Sequence, residues 1–447
     1  MSAYARYLTA RSIARQPSPI RALTAIQAQA GPEMISLAAG APNPELFPFE
    51  SISISLKNGG NGQNGKNHVM QGKELNAALQ YSPTIGYGPL RQHFTNLQLD
   101  SHNFNPNLHD IVITPGSQDG LMKILVAMVK RGDKVLIDNP AYSGTLAILQ
   151  PIGANLIEIN TDKDGMNTND LEEKLKTEGA GAKLLITVPN GSNPTGASLS
   201  YERRLKLLNV AEKHDLFVIE DDPYYWLTYD TENRVPSLFA LENGHNRQKA
   251  YSSIAPAGRV LRSDSLSKTI SSGIRIGWQT GPKDLIDRVV KHQEASSMHT
   301  STLSQAMVSI LFDEWAAAAG NANGNGNGND GFKNHCNQVV NFYKSRCQAI
   351  NSSCEKHLSD IATWSMPTAG MFLWVKIDGI KCTRSLIKEH ALENNVLLVD
   401  GQSFSPSNSV SSYARLSFSQ ETPERMEEAV ERLGKLIREE LRRQEKE

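Results

Sequence analysis

Four short apolar runs stand out between residues 110 and 220: DIVIT (110–114), KVLID (134–138), KLLITV (183–188) and LFVIE (216–220). Each is rich in branched aliphatic residues and lacks polar alternation, the pattern of strands buried on both faces. After the first, Leu121, Ile124, Leu125, Met128 and Val129 recur at helical spacing. Buried strands alternating with helices predict an α/β fold, with a mostly parallel sheet covered by helices. Ligands of such sheets gather at the carboxyl ends of the strands. Each run here gives way to a turn-forming, polar stretch: PGSQ, NPAY, PNGSNPTG and DDPYY in turn. Every one of these motifs is therefore expected on the same rim.

The pattern changes near residue 335. Long helical stretches then enclose isolated strands such as MFLWVKI (371–377), and a last helix opens at Thr422-Pro423, a capping residue followed by proline at the first helical position. Met426, Val430, Leu433 and Ile437 give that helix one apolar stripe. The expected organisation is an N-terminal arm over 1–45, a large domain over 46–334 and a smaller α/β domain over 335–447. Two Asn/Gly tracts, 58–68 and 320–330, cannot bury apolar surface and are expected to be solvated loops without chemistry. The first 32 residues carry Arg6, Arg11, Arg15 and Arg21 and no acid. That composition suits a mitochondrial presequence. It also suits an arm folded onto the protein, to which the rigid stretch PSPIR (17–21) belongs. An arm is the expectation, and mitochondrial import stays open beside a cytoplasmic location.

Composition narrows the partners. The chain has 447 residues, 39% hydrophobic content and a formal net charge of −1, so it can bury a large core and presents no basic block to nucleic acid. No apolar run is long enough to span a bilayer. The cysteines, at 336, 347, 354 and 382, show no CxxC spacing, which points to reduced thiols of an intracellular protein. HExxH, GxxxxGK[ST] and a GxGxxG after a strand are all missing, so neither a metal nor a nucleotide is expected.

The candidate chemistry lies at the strand ends. TPGSQDG (114–120) runs from a strand into a helix, so Ser117 and the first-turn N–H groups can hold a phosphate; a plain Gly-Ser helix cap is the competing reading. Ser265, Ser267 and Arg275 supply the same need from elsewhere, arginine because its planar fork matches phosphate oxygens. Lys268 stands among hydroxyls, seven residues before Arg275. It is either part of a polar loop or the lysine that forms an imine with an aldehyde cofactor. In EDDPYYW, Asp221 and Tyr224 are three apart at a strand end. A carboxylate there can keep a pyridine nitrogen protonated and the phenol can bond a ring oxygen, against the alternative of a turn with surface acids. Asn193 in SNPTG can serve that oxygen too, or simply shape a tight turn. Tyr142 in NPAYSG offers a ring face for stacking. Arg415 in SYARLSFS is either half of an ion pair or a bidentate clamp for a substrate α-carboxylate.

The order of these signals carries more than any one of them. GSQ, a tyrosine, NPTG, DxPY, SxSK with arginine seven on, and a late arginine together resemble the fold type I pyridoxal-phosphate aminotransferases over nearly the whole chain. The kynurenine/2-aminoadipate branch, which includes fungal aromatic aminotransferases, is the most similar. PSPIR (17–21), ISLAAGAPNPELFPF (35–49), LQYSP (79–83), NPAYSGT (139–145), VPNGSNPTG (188–196), EDDPYY (220–225), SKTISSGIRIGW (267–278) and TAGMFLWVK (368–376) carry that likeness. The resemblance implies an internal aldimine on Lys268 and Asp221 on the pyridine nitrogen. It implies Tyr224 and Asn193 at the ring oxygen, with Tyr142 stacked on the ring. Ser117, Gln118, Ser265, Ser267 and Arg275 would hold the phosphate, and Arg415 the α-carboxylate. Gly40 would let substrate approach the backbone, Tyr81 would reach the neighbouring subunit's site in a homodimer, and Arg21 would meet the substrate side chain. The implied reaction moves an amino group from 2-aminoadipate, kynurenine or an aromatic amino acid to a 2-oxo acid such as 2-oxoglutarate. Asn139 and Ala41 depart from the branch, which commonly has glutamate and a larger apolar residue there. Two alternatives are a pyridoxal-phosphate lyase on the same scaffold and an aminotransferase-like transcriptional regulator, the latter wanting a DNA-binding domain ahead of residue 35.

Overall fold

The computed structural model describes residues 3–21, 33, 35, 37, 40–57, 67–244, 257–318, 328–391 and 394–444. Most of both Asn/Gly tracts (58–66 and 320–327) lies outside the described residues. The chain divides into two compact units: Met1–Lys130 with Phe239–Cys336, and Arg131–Leu238 with Asn337–Glu447.

In the first unit, Gly277–Pro282 lies between His109–Thr114 and Val260–Ser265 and runs antiparallel to both. The register sets Gly277 opposite Thr114 on one side and Ser265 on the other. The first apolar run thus becomes a strand and leads into the helix Ser117–Met128, whose Leu121, Ile124 and Leu125 are buried. The polar strand Val260–Ser265 is buried along its whole length. Its charges are matched inside: Arg262 donates to Asp264 through Nη2 (2.6 Å) and Nε (3.0 Å), and Gln98 adds a third bond to that carboxylate. The arm is packed on this unit. Tyr4 and Tyr7 are buried, the Tyr4 hydroxyl donates to the Gly258 carbonyl at 2.8 Å, and Thr9 caps the short helix Ala10–Ala14.

The tracts need a correction at their edges. Asn67 and His68, expected in a solvated loop, open the strand Asn67–Gln71, which pairs antiparallel with Ser51–Ser55. The alternating SISIS sequence supplies the partner edge, and backbone pairing requires no large side chains. Likewise Asn329 and Asp330 start the helix Asn329–Leu358 instead of ending a loop.

In the second unit, Leu184–Thr187 is flanked by Lys134–Asn139 and Phe217–Asp221, all parallel, and Asn155–Asp162 pairs parallel with Lys134–Asn139. The strands Lys134–Asn139, Leu184–Thr187 and Phe217–Asp221 match the second, third and fourth apolar runs. The C-terminal part forms an antiparallel sheet in the order Ala362–Trp364, Phe372–Ile377, Tyr413–Ser417, Val399–Asp400. The last helix, Pro423–Gln444, buries Met426, Val430, Leu433 and Ile437 as its stripe predicts. They share a core with Cys347, Cys354, Leu373 and Tyr224. Cys347, Cys354 and Cys382 are free thiols. Among the described residues no helix is long and apolar enough to cross a membrane, and no group of acidic, His and Cys side chains could hold a metal ion.

Candidate active site

The candidate residues fall into two sets, one in each unit. In the first, the chain leaves the strand at Thr114 and turns into a helix through Gly116, whose φ of 83° suits glycine. The helix starting at Ser117 has no side-chain cap on its amino terminus, so its first N–H groups are not satisfied by a capping side chain. A Cβ at Gly116 would lie 2.2 Å from Nη2 of Arg275, and one at Gly277 would lie 2.5 Å from the Ser117 nitrogen. Only glycines allow the two segments to approach this closely. Arg275 itself has a φ of 52° and donates to Ser267 Oγ at 3.2 Å, the Ser272 carbonyl at 3.0 Å and the Pro115 carbonyl at 3.4 Å. These acceptors are neutral, so its charge is uncompensated there. Ser265 Oγ accepts the N–H of Ser267 at 3.1 Å, which tightens the turn leading to Lys268. Thr269, Ile270 and Ser271 all donate their N–H to the Leu266 carbonyl, and Lys268 sits half-buried inside that turn. The structure therefore brings Ser117, Ser265, Ser267, Arg275 and Lys268 into one small region. Gln118 follows Ser117 in the first helical turn.

A separate cluster in this unit joins Arg21, Tyr81 and His299. The guanidinium carbon of Arg21 lies 5.6 Å from the centre of the Tyr81 ring, and His299 meets the same ring edge-on at 5.8 Å. Arg21 Nη1 donates to the Ser82 carbonyl at 3.4 Å, while Nη2 is buried without a hydrogen-bond partner. Burial, and then the charge of Arg21, hold the His299 imidazole below its ordinary pKa, with its bond to the Thr300 carbonyl opposing. Gly40 is not brought to this group. It is exposed, and nothing lies within 4 Å of where its Cβ would be.

In the second unit, Asp221 and Tyr224 follow from one buried strand end, both almost fully buried. Asn193 sits in the turn Val188–Gly196, whose Gly191 and Gly196 have positive φ and pack against the backbone of Ala369 and Phe372 at distances that no Cβ tolerates. Arg415 Nη1 donates to Asn193 Oδ1 at 2.8 Å, and the Tyr224 hydroxyl bonds the same asparagine. Burial is the main reason the Tyr224 phenol is pushed well above its usual pKa. Tyr142 and Asp221 add to this, while Arg415 and the Asn193 bond oppose it. At neutral pH it is therefore a protonated hydrogen-bond donor. Arg415 lies over Phe372 (4.2 Å) and Phe404 (5.2 Å), with no carboxylate partner among the described residues and its Nε buried and unbonded. The ion-pair reading of this arginine thus fails for want of an acid. Tyr142 starts the helix Ser143–Ile152, beside Ala141, whose N–H bonds the Phe404 carbonyl at 2.8 Å. Asn139, the departure from the branch, donates to Glu158 at 2.6 Å.

The model for aminotransferase class I and II matches residues 63–433. The chain belongs to that family. It is 40% identical to the mitochondrial kynurenine/alpha-aminoadipate aminotransferase of Bos taurus over 98% of this chain and the whole of that one. A crystal structure of kynurenine aminotransferase from Pyrococcus horikoshii, in complex with PMP, superimposes with a TM-score of 0.71 at 28% identity, covering 98% of both chains. That of aminotransferase Aro8 from Candida albicans gives 0.82 over 99% of both at 24% identity, which speaks to the fold. The protein is a pyridoxal-phosphate-dependent transaminase.

The residues of this aminotransferase fit that cofactor. An uncapped helix start, two glycines held for close approach and an arginine whose acceptors among the described residues are neutral are suited to a dianionic phosphate. A buried carboxylate and a phenol kept protonated, beside an asparagine, are suited to a pyridine nitrogen and its ring oxygen. Several participants gave no signal in the sequence. Phe372 and Phe404 flank Arg415, His299 abuts Tyr81, and Asp138, Asn190 and Arg204 support the turn bearing Asn193.

Proposed function

We propose that this transaminase takes its amino group from 2-aminoadipate, kynurenine or an aromatic amino acid and passes it to 2-oxoglutarate. The observation that carries this reading is the state of two arginines. Arg415 and Arg21 both have guanidinium nitrogens buried without a partner, and neither pairs with a described carboxylate. A buried cation without an acid is costly unless an anionic ligand completes it. Arg415 takes the α-carboxylate that every donor and acceptor shares. Arg21 takes the second carboxylate of 2-aminoadipate and 2-oxoglutarate, or lies over the ring of an aromatic donor. The bovine relative is named for both kynurenine and aminoadipate.

In this reading Lys268 binds the cofactor covalently, and Ser117, Gln118, Ser265, Ser267 and Arg275 hold its phosphate. Asp221 pairs the ring nitrogen, Tyr224 and Asn193 the ring oxygen, and Tyr142 covers the ring. Bound pyridoxal phosphate supplies an electron sink for the charge that develops at the substrate α-carbon. Lys268 Nζ takes the proton from that carbon and later returns it, while Asp221 keeps its negative charge beside the ring nitrogen. The arm over 1–45, the cofactor-binding domain over 46–334 and the small domain over 335–447 go with this assignment, as does Gly40 at the substrate. We further propose a homodimer. Ile35, Leu37, Leu46 and Phe49 are 89%, 98%, 80% and 58% exposed in the single chain, and Tyr81 is 54% exposed beside Arg21. A second copy covering these residues would bring Tyr81 to its neighbour's substrate. The location is intracellular, cytoplasmic or in the mitochondrial matrix; the bovine relative is named as mitochondrial, and the first 32 residues carry arginines and no acid.

The test is a donor panel against 2-oxoglutarate, reading glutamate produced. The expected order places 2-aminoadipate and kynurenine at the top. A protein that turns over donors without any 2-oxo acid acceptor contradicts transamination of these substrates. Lys268→Ala is expected to lose the visible absorbance of the bound cofactor; a variant that stays yellow refutes the assignment of that lysine.

A further inference from the structure

Arg204 is fully buried, with 0% exposure, on a helix whose sequence, YERRLKLLNVAEK (201–213), reads as a solvent-facing amphipathic stretch. Its guanidinium is spread over several chain segments. Nε donates to the Leu199 carbonyl at 3.1 Å, Nη1 to the Pro236 carbonyl at 3.0 Å, and Nη2 to the Pro189 carbonyl at 3.1 Å and to Asn190 Oδ1 at 2.7 Å. Asn190 passes the connection on, its Nδ2 donating to Asp222 Oδ2 at 2.8 Å. One end of this chain of bonds is the turn that carries Asn193, three residues after Asn190. The other is the strand end that carries Asp221 and Tyr224, on either side of Asp222.

Burying a guanidinium is unfavourable unless its donors are met and its charge is answered. Leucine or methionine would fill the same space without that cost. What only arginine supplies is a rigid fan of N–H groups that fixes several acceptors in one geometry, and lysine, a point charge on a flexible stem, does not. The turn it holds has little freedom of its own. Gly191 is wedged against Ala369, and Ser192 is bonded through its backbone to Ala197 and Gly196. A shift at Asn190 is therefore transmitted to Asn193, and from there to Arg415, which Asn193 bonds.

We propose that Arg204 is a positioning residue of the ring-binding face. Through Asn190 and Asp222 it locks the turn bearing Asn193 in register with the strand end bearing Asp221 and Tyr224. The proposal rests on the cofactor-binding roles proposed for Asn193, Asp221 and Tyr224, and the tests separate the two. The proteins compared are the holoenzymes of wild type, Arg204→Lys, Arg204→Met and Asn190→Ala. Asn190→Ala cuts the link to Asp222 and leaves the bonds of Arg204 to backbone carbonyls, so the test stands even where Arg204→Met fails to fold. The readouts are the pH midpoint of the bound cofactor's visible absorbance, the affinity of the apo form for pyridoxal phosphate, kcat against KM, and the melting temperature.

In Asn190→Ala the absorbance midpoint is expected to move by about half a unit or more, and kcat to fall about tenfold with KM little changed. Arg204→Lys should fall between it and wild type. A lowered melting temperature in Asn190→Ala and Arg204→Lys, with midpoint, cofactor affinity and kcat unchanged, would show that the network serves the fold alone and would overturn the proposal. Tyr224→Phe serves as the control. If its midpoint also stays put, the ring-oxygen role of Tyr224 is wrong and the proposal falls with it; if only Asn190→Ala is silent, the role stands and the positioning claim alone fails.

Discussion

In the proposed assignment, the phosphate cradle of the first unit and the ring-binding face of the second are built by different means. The cradle is mostly backbone: a helix start, a positive-φ glycine, and a second glycine, Gly277, packed close against the Gly116–Ser117 peptide. Its arginine, Arg275, bonds hydroxyl and carbonyl oxygens at the surface. The ring face is mostly side chain, and its members are buried: Asp221, Tyr224 and Asn193 are each at most 6% exposed, and a second layer of Asp138, Asn190 and Arg204 lies behind them. A phosphate needs many N–H groups at a helix terminus, and its charge does the rest. A pyridine ring needs a carboxylate, a donor and a face in fixed relation, and such a relation between side chains survives only where each is itself tied down. The cradle should therefore be broken by changing shape, and the ring face by removing polar partners.

Gly116→Val breaks the first half of that contrast and carries the largest expected effect. The new Cβ would sit 2.2 Å from Nη2 of Arg275, at a φ of 83° that a branched side chain does not adopt without strain. Either the turn rotates or Arg275 is displaced, and both dismantle the cradle. Titration of the apo form with pyridoxal phosphate should show affinity reduced by about 100-fold or more, the equivalent of about 3 kcal/mol. Affinity within a factor of three of wild type would mean that the helix terminus is not the phosphate site.

Arg415→Ala breaks the second half. The variant loses the bond to Asn193 and the cation over Phe372, a cation that has no acid partner among the described residues. Because all substrates share an α-carboxylate, kcat/KM should fall by about 100-fold or more for amino acids and 2-oxo acids alike, mainly through KM. Arg415→Lys should recover little, since a point charge does not reproduce the planar fork. Selective loss for one donor would show that the residue reads side chains. In the cradle, by contrast, Ser267→Ala removes only one acceptor of the Arg275 bonds.

This difference also decided what could be read from the sequence. Backbone-built features force residue types, so PGSQ, the SxSK turn and the trailing glycine-arginine stretch announce themselves, and the four apolar runs give their strands. The strand Val260–Ser265 is not among those runs because its VLRSDS sequence is polar. Its charges are met inside by the Arg262–Asp264 pair within the strand and by Gln98, 166 residues away from Asp264, a partner that no local pattern announces. The second layer of the ring face was hidden for the same reason. Arg204 looks like any basic residue on an exposed helix until two turns close over it, and Asn190 looks like one more turn asparagine. His299 has no motif around it, and its contact with Tyr81 is made across 218 residues of chain. Asp138 closes an apolar run, and nothing beside it in the sequence marks its bonds to the next strand.

Asp138 sharpens the comparison further, because it is a titratable group in the second layer of the ring face. Its carboxyl is 5% exposed, accepts the Val188 N–H at 3.1 Å and the Thr187 hydroxyl at 3.3 Å, and so holds the base of the turn bearing Asn193. Burial pushes its pKa up from 3.8 to about 7, and those two bonds only partly oppose the shift. A carboxyl whose folded pKa lies above its unfolded value contributes stability that is full below about pH 4 and is lost as pH rises through about 7. Asp138→Asn keeps a carbonyl oxygen for the Val188 N–H and removes the titration. The melting temperature of the variant should therefore gain on wild type as pH is raised from 5 to 8, by the equivalent of on the order of 2–4 kcal/mol across the whole window between the two pKa values. The cradle's Ser265 and Ser267 do not titrate there, so affinity for inorganic phosphate in the apo form should keep the same pH profile in variant and wild type. A melting difference that stays constant with pH would show that the carboxyl is already charged when folded, and that the ring face holds its turn with an ion instead of a neutral acid.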